Sequence, residues 1–268
     1  MRIATWNINS VRLRIGLVTR FLESWRPDIL CLQETKCPPG QFPTSAFRQA
    51  GYGHIAENGY TGHHGVAIVS RHAITERQVN SFCGRNDGRH VSVRLAQSGL
   101  VIHSLYVPAG GDEPDPSINM KFAHKLQFVD EMKPWANALM ASGKEQHILA
   151  GDLNIAPLET DVWSHKQLLK VVSHTPVETE KLTGLMTSCR FHDPVRAQHP
   201  EPERLYSWWS YRSRDWDTAD KGRRLDHIWV PEEMAHLCRH TEIVREARGW
   251  DRPSDHVPVL LDMAGPGA

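Results

Sequence analysis

No two cysteines in this chain stand at a Cys-x-x-Cys spacing, and their number is odd. The five, Cys31, Cys37, Cys83, Cys189 and Cys238, argue against a disulfide framework and a zinc ribbon and for a reducing compartment. No apolar run approaches the ~18 residues that a membrane span needs. Arg2 leads into strand-like Ile3-Ala4-Thr5-Trp6, not into the apolar centre of a signal peptide. A soluble, cytoplasmic protein with no membrane partner is the expectation. Net charge is missing too: 31 Lys and Arg meet 31 Asp and Glu, so no global basic field announces a nucleic-acid partner. Three catalytic phrases are absent. Without Gly-x-Ser-x-Gly a serine-hydrolase elbow is disfavoured, and without His-Glu-x-x-His or a Gly-x4-Gly-Lys loop so are zinc proteolysis and P-loop nucleotide hydrolysis. Gly51-Tyr52-Gly53-His54-Ile55-Ala56 has the spacing of a dinucleotide fingerprint, but no strand precedes it and no helix follows, so its glycines read as turn residues.

What is present is an α/β pattern. A chain of 268 residues can bury a large core, and no linker or compositional break divides it, so residues 1–264 read as one domain with a short tail at 265–268. Apolar runs ending in polar residues read as strands at Ile3–Ile8, Asp28–Glu34, Gly65–Ser70, Val91–Leu95, Leu100–Pro108, His147–Asp152, Arg224–Val230 and Asp255–Asp262. Helical spacing occupies Val11–Trp25 and Ser117–Ala141, the second expected to kink or divide at Pro134. Strands and helices recur in both halves, as two stacked sheets flanked by helices would produce.

The polar residues cluster at strand ends: Asn7 and Asn9, Glu34, Tyr106, Asp152 and Asn154, Asp226, Asp255 and His256. Any one alone is ordinary, since Asp after a strand is usually a turn or cap residue and Tyr is usually core. Together, at the ends of separate apolar strands, they suit a site. Strand side chains repeat every two residues, so Asp152 and Asn154 point the same way. Carboxylates and amides without thiolates suit a hard ion such as Mg2+ or Mn2+, and a His backed by Asp suits an anionic oxygen. The chemistry left standing is metal-assisted hydrolysis of a phosphate ester. Charge is locally uneven in a way that fits a phosphate polymer or plain solvated faces: Arg2, Arg12, Arg14, Arg20 and Arg26 face only Glu23 in the first 26 residues, and residues 204–224 carry Arg204, Arg212, Arg214, Lys221, Arg223 and Arg224 against Asp215, Asp217 and Asp220.

The ordered phrases Trp6-Asn7-Ile8-Asn9, Leu32-Gln33-Glu34-Thr35-Lys36, Gly65-Val66-Ala67, Tyr106-Val107-Pro108, Gly151-Asp152-Leu153-Asn154-Ile155-Ala156-Pro157, Arg224-Leu225-Asp226-His227 and Ser254-Asp255-His256-Val257-Pro258-Val259 resemble the exonuclease III family of DNA-repair nucleases. That family lies in the endonuclease/exonuclease/phosphatase superfamily with DNase I. The resemblance implies a four-layered α/β sandwich, two mixed sheets between helices. It implies a Mg2+-dependent enzyme, with Mn2+ as substitute, acting as 3′→5′ exonuclease and abasic-site endonuclease on double-stranded DNA with abasic sites or 3′ ends. A monomer is expected. By the same resemblance Glu34 is the main metal ligand with Asn9 and Asp255 nearby, and Asn7 hydrogen-bonds in the site. Asp152 orients or deprotonates water, Asn154 positions Asp152 and the phosphate, Tyr106 contacts the phosphate, and His256, held by Asp226, binds a non-bridging oxygen. Arg212, Arg223, Arg224, Trp208 and Leu225 are the expected DNA-contacting set. The runner-up is a superfamily relative acting on a phosphoinositide, a sphingolipid or RNA; the third reading is a DNA-binding protein without catalysis.

Three positions depart from the family's pattern. Ser10 stands where glycine is usual, and Ala109 where an amide side chain is common. Arg223 replaces the apolar or aromatic wall of the pocket that accepts a baseless sugar, and is expected to contact a backbone or terminal phosphate. Of Trp208, Trp209 and Trp216, at least one is expected to be plain core.

Overall fold

The computed structural model describes residues 1–143 and 145–264. The tail expected at 265–268 lies outside the described residues. In chain order the strands are β1 (Arg2–Asn7), β2 (Ile29–Gln33), β3 (His54–Asn58), β4 (Val66–Ser70), β5 (Ile74–Gln78), β6 (His90–Leu95), β7 (Val101–Tyr106), β8 (His147–Asp152), β9 (Phe191–His192), β10 (Trp208–Trp209), β11 (Gly222–Arg223), β12 (Asp226–Pro231), β13 (Cys238–Ile243) and β14 (Val259–Met263). They form two six-stranded sheets, β13-β14-β1-β2-β4-β3 and β5-β6-β7-β8-β12-β9, and a small β10-β11 ribbon. Each large sheet is mixed: β1 runs parallel to β2 and β7 parallel to β8, with antiparallel partners around them.

Period-two alternation sorts the side chains into layers. Ile3, Ile29, Cys31, Ile68, Ile102, Ile148, Ile228 and Leu261 meet between the sheets, where each fully buried aliphatic contributes about 1.5–3 kcal/mol. The alternate residues face outward. Trp6, Leu30 and Leu32 pack against Val18, Phe21 and Leu22 of helix α1 (Ile15–Trp25). Leu105, Leu149 and Trp229 pack against two longer helices, α2 (Met120–Ala141) and α3 (Pro176–Ser188). Helices therefore cover both outer faces, giving the four layers expected.

Two local expectations are corrected. The helix read from Ser117 begins at Met120, because the Asn119 side chain accepts from the Lys121 N–H and caps it there. Pro134 neither ends nor divides that helix, which runs on to Ala141. Pro134 and Asp130, whose carbonyl loses its amide partner, are both exposed, which puts the lost bond on the solvent side of the helix.

Candidate active site

The inner layer between the sheets changes character along the strands. Above its apolar part, Thr5, Gln33 and Ser104 form a buried hydrogen-bonded tier: Gln33 Nε2 donates to both hydroxyls at 3.0 Å. One step further on the same face stand Asn7, Tyr106, Asp152 and Asp226, ending β1, β7 and β8 and opening β12. Sheet register aligns three of them in a row, Tyr106 beside Asp152 and Asp152 beside Asp226. Gly151 makes that row tight: its φ is +153°, and a Cβ there would collide with the Leu105 backbone.

The turns leaving these strands hold left-handed backbone at residues other than glycine: Asn9 (φ 47°), Ser10 (φ 86°), Glu34 (φ 47°), Lys36 (φ 48°) and Asn154 (φ 54°). Such conformations cost about 1–3 kcal/mol each and collect where side chains must be aimed. The φ of Ser10 also explains why glycine is usual there, since glycine adopts it freely.

Hydrogen bonds tie the set into one constellation. Asn7 Nδ2 donates to Glu34 Oε1 at 2.9 Å and to Asp152 Oδ2 at 2.8 Å. The backbone and side-chain N–H groups of Asn154 donate to the two Asp152 oxygens at 2.9 and 3.1 Å. His256 Nδ1 is 2.8 Å from Asp226 Oδ2, and its Nε2 is 3.7 Å from Asp152 Oδ2. Ser207 Oγ donates to that same Asp226 oxygen at 2.7 Å. Asp255 accepts from Asn9 Nδ2 at 3.1 Å and from Trp208 Nε1 at 3.0 Å.

Electrostatics follow from burial and crowding. Burial, reinforced by Asp226 and Glu34, raises the Asp152 carboxyl to about 7 against the lowering effect of His256 and Asn7. Burial works against a charged His256, but Asp226, Asp152 and Asp255 more than offset it and hold the imidazolium to about 10. Burial also works against the Asp255 charge, yet His256, Trp208 and Asn9 keep that carboxyl below its ordinary range. Tyr106 is driven well above the usual phenol value by burial and then by the charges of Glu34 and Asp152. It is therefore a neutral hydroxyl.

These residues floor a cavity of about 760 Å3. Glu34, Asn154, Asp255 and His256 reach its inner surface, and Trp208, Arg212, Arg223 and Leu225 line its walls. Four carboxylates, Glu34, Asp152, Asp226 and Asp255, share the region with Lys36 and the His256 imidazolium. A hard divalent cation fits that imbalance and the oxygen donors on Glu34, Asn9 and Asp255. Lys36 already places an ammonium there, 3.0 Å from Glu34 Oε2 and 2.6 Å from Asn9 Oδ1. Asp152, Asp226 and His256 also bring one donor atom each within 4.8 Å of one another, but His256 Nδ1 is committed to Asp226, which leaves the Glu34 side the better seat.

The structure thus brings together Asn7, Asn9, Glu34, Tyr106, Asp152, Asn154, Asp226, Asp255 and His256 as expected. Trp209 is the buried member of the tryptophan group, at 2% exposure. Arg224 is a correction. Expected to contact DNA, it is buried, with Nε and Nη2 at 2.8 and 3.0 Å from the two Asp161 oxygens and Nη1 at 2.6 Å from Asp193. A guanidinium neutralised by two buried carboxylates is a structural tie and offers no surface charge. Sequence reading gave no role to Lys36, Ser207 or Lys125. Lys36 was legible, since it closes the Leu-Gln-Glu-Thr-Lys phrase; Ser207 and Lys125 carry no local signal.

A two-sheet α/β sandwich with an aspartate-backed histidine and an oxygen-rich cation seat at one end defines a phosphate-ester hydrolase. The sequence matches the model of the endonuclease/exonuclease/phosphatase family over residues 4–256, and the chain belongs to that family. It is similar to exodeoxyribonuclease III of Haemophilus influenzae, 27% identical over 98% of this chain and 100% of that one. It is likewise 27% identical to an exodeoxyribonuclease of Bacillus subtilis, over 97% of this chain and 98% of that one. Among solved structures it resembles the Neisseria 3′ phosphatase NExo bound to a product DNA hairpin (TM-score 0.90, 29% identity, 99% of this chain and 100% of that one). An AP endonuclease from Archaeoglobus fulgidus is equally similar in fold (TM-score 0.90, 28% identity, 99% and 100% covered).

Proposed function

We propose that this chain is a DNA-repair nuclease that hydrolyses phosphate esters of double-stranded DNA at abasic sites and 3′ ends, with Mg2+, or Mn2+ in its place, working as a monomer in the cytoplasm. The observation that carries this reading is the unbroken chain of contacts Asp226–His256–Asp152–Asn7–Glu34 within one cavity. Glu34, with Asn9 and Asp255, would hold the cation, which supplies positive charge against the phosphoryl oxygens.

The chain's own groups do the rest. Asp152, raised towards neutrality by burial, is matched to accept a proton from water at ordinary pH. Asn7 and Asn154 fix its oxygens, so the base is oriented before substrate arrives. His256 carries a positive Nε2–H aimed into the cavity, and Asp226 fixes which nitrogen points there. Tyr106 offers a neutral hydroxyl donor to a phosphate oxygen. Free cysteines throughout the described residues agree with a reducing setting.

The test is a labelled duplex carrying one abasic site, beside 3′-recessed and 3′-phosphate duplexes, with Mg2+ and with EDTA. Metal-dependent cleavage that Glu34→Ala and His256→Ala each reduce by orders of magnitude in folded protein supports the reading. Binding that persists without cleavage at any metal concentration would identify a catalytically silent DNA-binding protein instead.

A further inference from the structure

Arg223 sits where the cavity has to discriminate between substrates. Its partner across the small ribbon is Trp208, and its guanidinium lies over that indole, 5.2 Å from the ring centre. From there it reaches across to the segment before α3, where Nη1 donates to the Val172 carbonyl at 2.9 Å and the Ser173 hydroxyl at 2.7 Å. Nε is buried without a partner. The Trp208 indole in turn donates to Asp255, so one aromatic ring separates Arg223 from the catalytic floor. Trp208, Leu225 and Val171 form an apolar patch beneath it, suited to a sugar lacking its base, but Arg223 spans that patch.

We propose that Arg223 fits this cavity to a terminal 3′-phosphate and against a baseless sugar inside a strand; the proposal rests on the phosphoesterase reading above. In an internal phosphodiester one phosphoryl oxygen is esterified to the next sugar, and that sugar needs the room beyond the phosphate. In a 3′-phosphomonoester the same oxygen is free, and the group carries about −1.5 to −2 charge at pH 7. A guanidinium beyond the phosphate obstructs the first and pairs with the second. The reaction balances without a further reagent: a water oxygen bonds to phosphorus, the bond from phosphorus to the 3′-oxygen breaks, and that oxygen keeps the electron pair and takes up a proton. The products are a 3′-hydroxyl and inorganic phosphate.

The experiment separates affinity from turnover. In EDTA, anisotropy of fluorescent duplexes should show the protein binding a 3′-phosphate end about tenfold or more tightly than a 3′-hydroxyl end, one charge-assisted contact's worth. Arg223→Leu should reduce that preference to within about twofold, and Arg223→Lys should restore part of it. In Mg2+, the specificity ratio kcat/KM for 3′-phosphate removal over abasic cleavage should fall about tenfold or more in Arg223→Leu, with abasic cleavage rising. Thermal melts of each variant establish that it is folded. Equal wild-type affinity for the two ends, or an unchanged ratio in Arg223→Leu, overturns the assignment of Arg223 and leaves the nuclease reading standing. No turnover of any duplex by wild type overturns the nuclease reading, while the EDTA binding series still decides the role of Arg223.

Discussion

His256 stands between two aspartates, its Nδ1 2.8 Å from Asp226 and its Nε2 3.7 Å from Asp152. The two carboxylates are themselves register neighbours on β12 and β8, so one imidazolium separates charges that sheet pairing forces together. Burial alone would strip the imidazole of its proton; Asp226 and Asp152 reverse that and raise its pKa to about 10. A group raised in the folded state stabilises below its unfolded value near 6.5 and loses that contribution as pH rises through the folded value. The imidazolium, and any catalysis that needs it, is therefore present through the neutral range and lost on the alkaline side. Asp226→Asn removes the main raising charge, so the alkaline limb of the kcat profile should move to lower pH and kcat should fall by about 10^2-fold or more. A kcat profile with an unmoved alkaline limb would falsify the pairing as the source of the charge.

Asp152 presents the opposite balance. Its raised carboxyl means that the folded protein holds a proton the unfolded chain has released. The contribution of this group to stability declines as pH rises from about 4 to 7 and stays unfavourable above. Asp152→Asn keeps the shape, removes the like-charge repulsion and removes the base. In EDTA at pH 8 the variant should be more stable than wild type, by about 1 kcal/mol or more, with kcat reduced by about 10^2–10^4-fold. Urea unfolding beside steady-state rates checks both halves; a destabilised variant would show that Asp152 contributes to the fold as well as to the site.

On the outer face of the second sheet, three histidines form a ladder across β6, β7 and β8. The Asn80 N–H donates to His90 Nδ1, His90 Nε2 meets His103 Nδ1 at 3.0 Å, and His103 Nε2 meets His147 Nδ1 at 3.0 Å. The first contact fixes His90 with its proton on Nε2, and each following ring inherits that arrangement. Burial lowers all three, His90 to about 3 and His103 further helped down by its two neighbours. Neutral rings stabilise above the unfolded pKa near 6.5, and the contribution is lost as pH falls below it. Each contributes a slope of about 1.4 kcal/mol per pH unit once the unfolded chain alone is protonated. In the Asp152→Asn background, free of the opposing carboxyl, unfolding free energy should drop between pH 6.5 and 5 by more than about 2 kcal/mol. A flat profile over that window would mean that the ladder accepts protons while folded.

The polar row was legible in sequence because strand geometry is periodic. Asn7, Tyr106, Asp152 and Asp226 continue the inner-face series of Ile3, Ile102, Ile148 and Ile228, so apolar runs that end in polar residues announce a shared site. Arg224 was misread. Beside Arg223 it looked like part of one basic edge, yet Arg224 lies just past β11, and the carboxylates that enclose it come from Asp161 and Asp193, far away in sequence. The division expected at Pro134 is not seen because a proline removes one helical N–H and, on an exposed face, the remaining bonds carry the helix on to Ala141. Ser207, which holds Asp226 from a neighbouring ribbon, was invisible because nothing local distinguishes it from a loop serine.

The last case concerns a charge inside the second sheet's outer core. Lys125 faces inward from α2 among Phe122, Phe128 and Val129, and meets Glu178 of α3 at 2.5 Å with both side chains fully buried. Burial lowers the lysine's pKa, and Glu178 opposes that fall. The ammonium also donates to the Asn154 carbonyl at 2.7 Å, and Glu178 accepts from the Ser173 and Thr175 N–H groups. One pair thus anchors the turn that aims Asn154 and the segment that Arg223 grips. Removing a single partner leaves an uncompensated buried charge, so Lys125→Met should cost about 3–5 kcal/mol, whereas Lys125→Met with Glu178→Leu should recover much of it. Activity separates the two roles. If the pair positions the site, the double variant should regain stability and still show kcat reduced by about tenfold or more, because Asn154 and Ser173 have lost their anchor. A double variant that is both stable and fully active would confine Lys125 and Glu178 to holding the helices together.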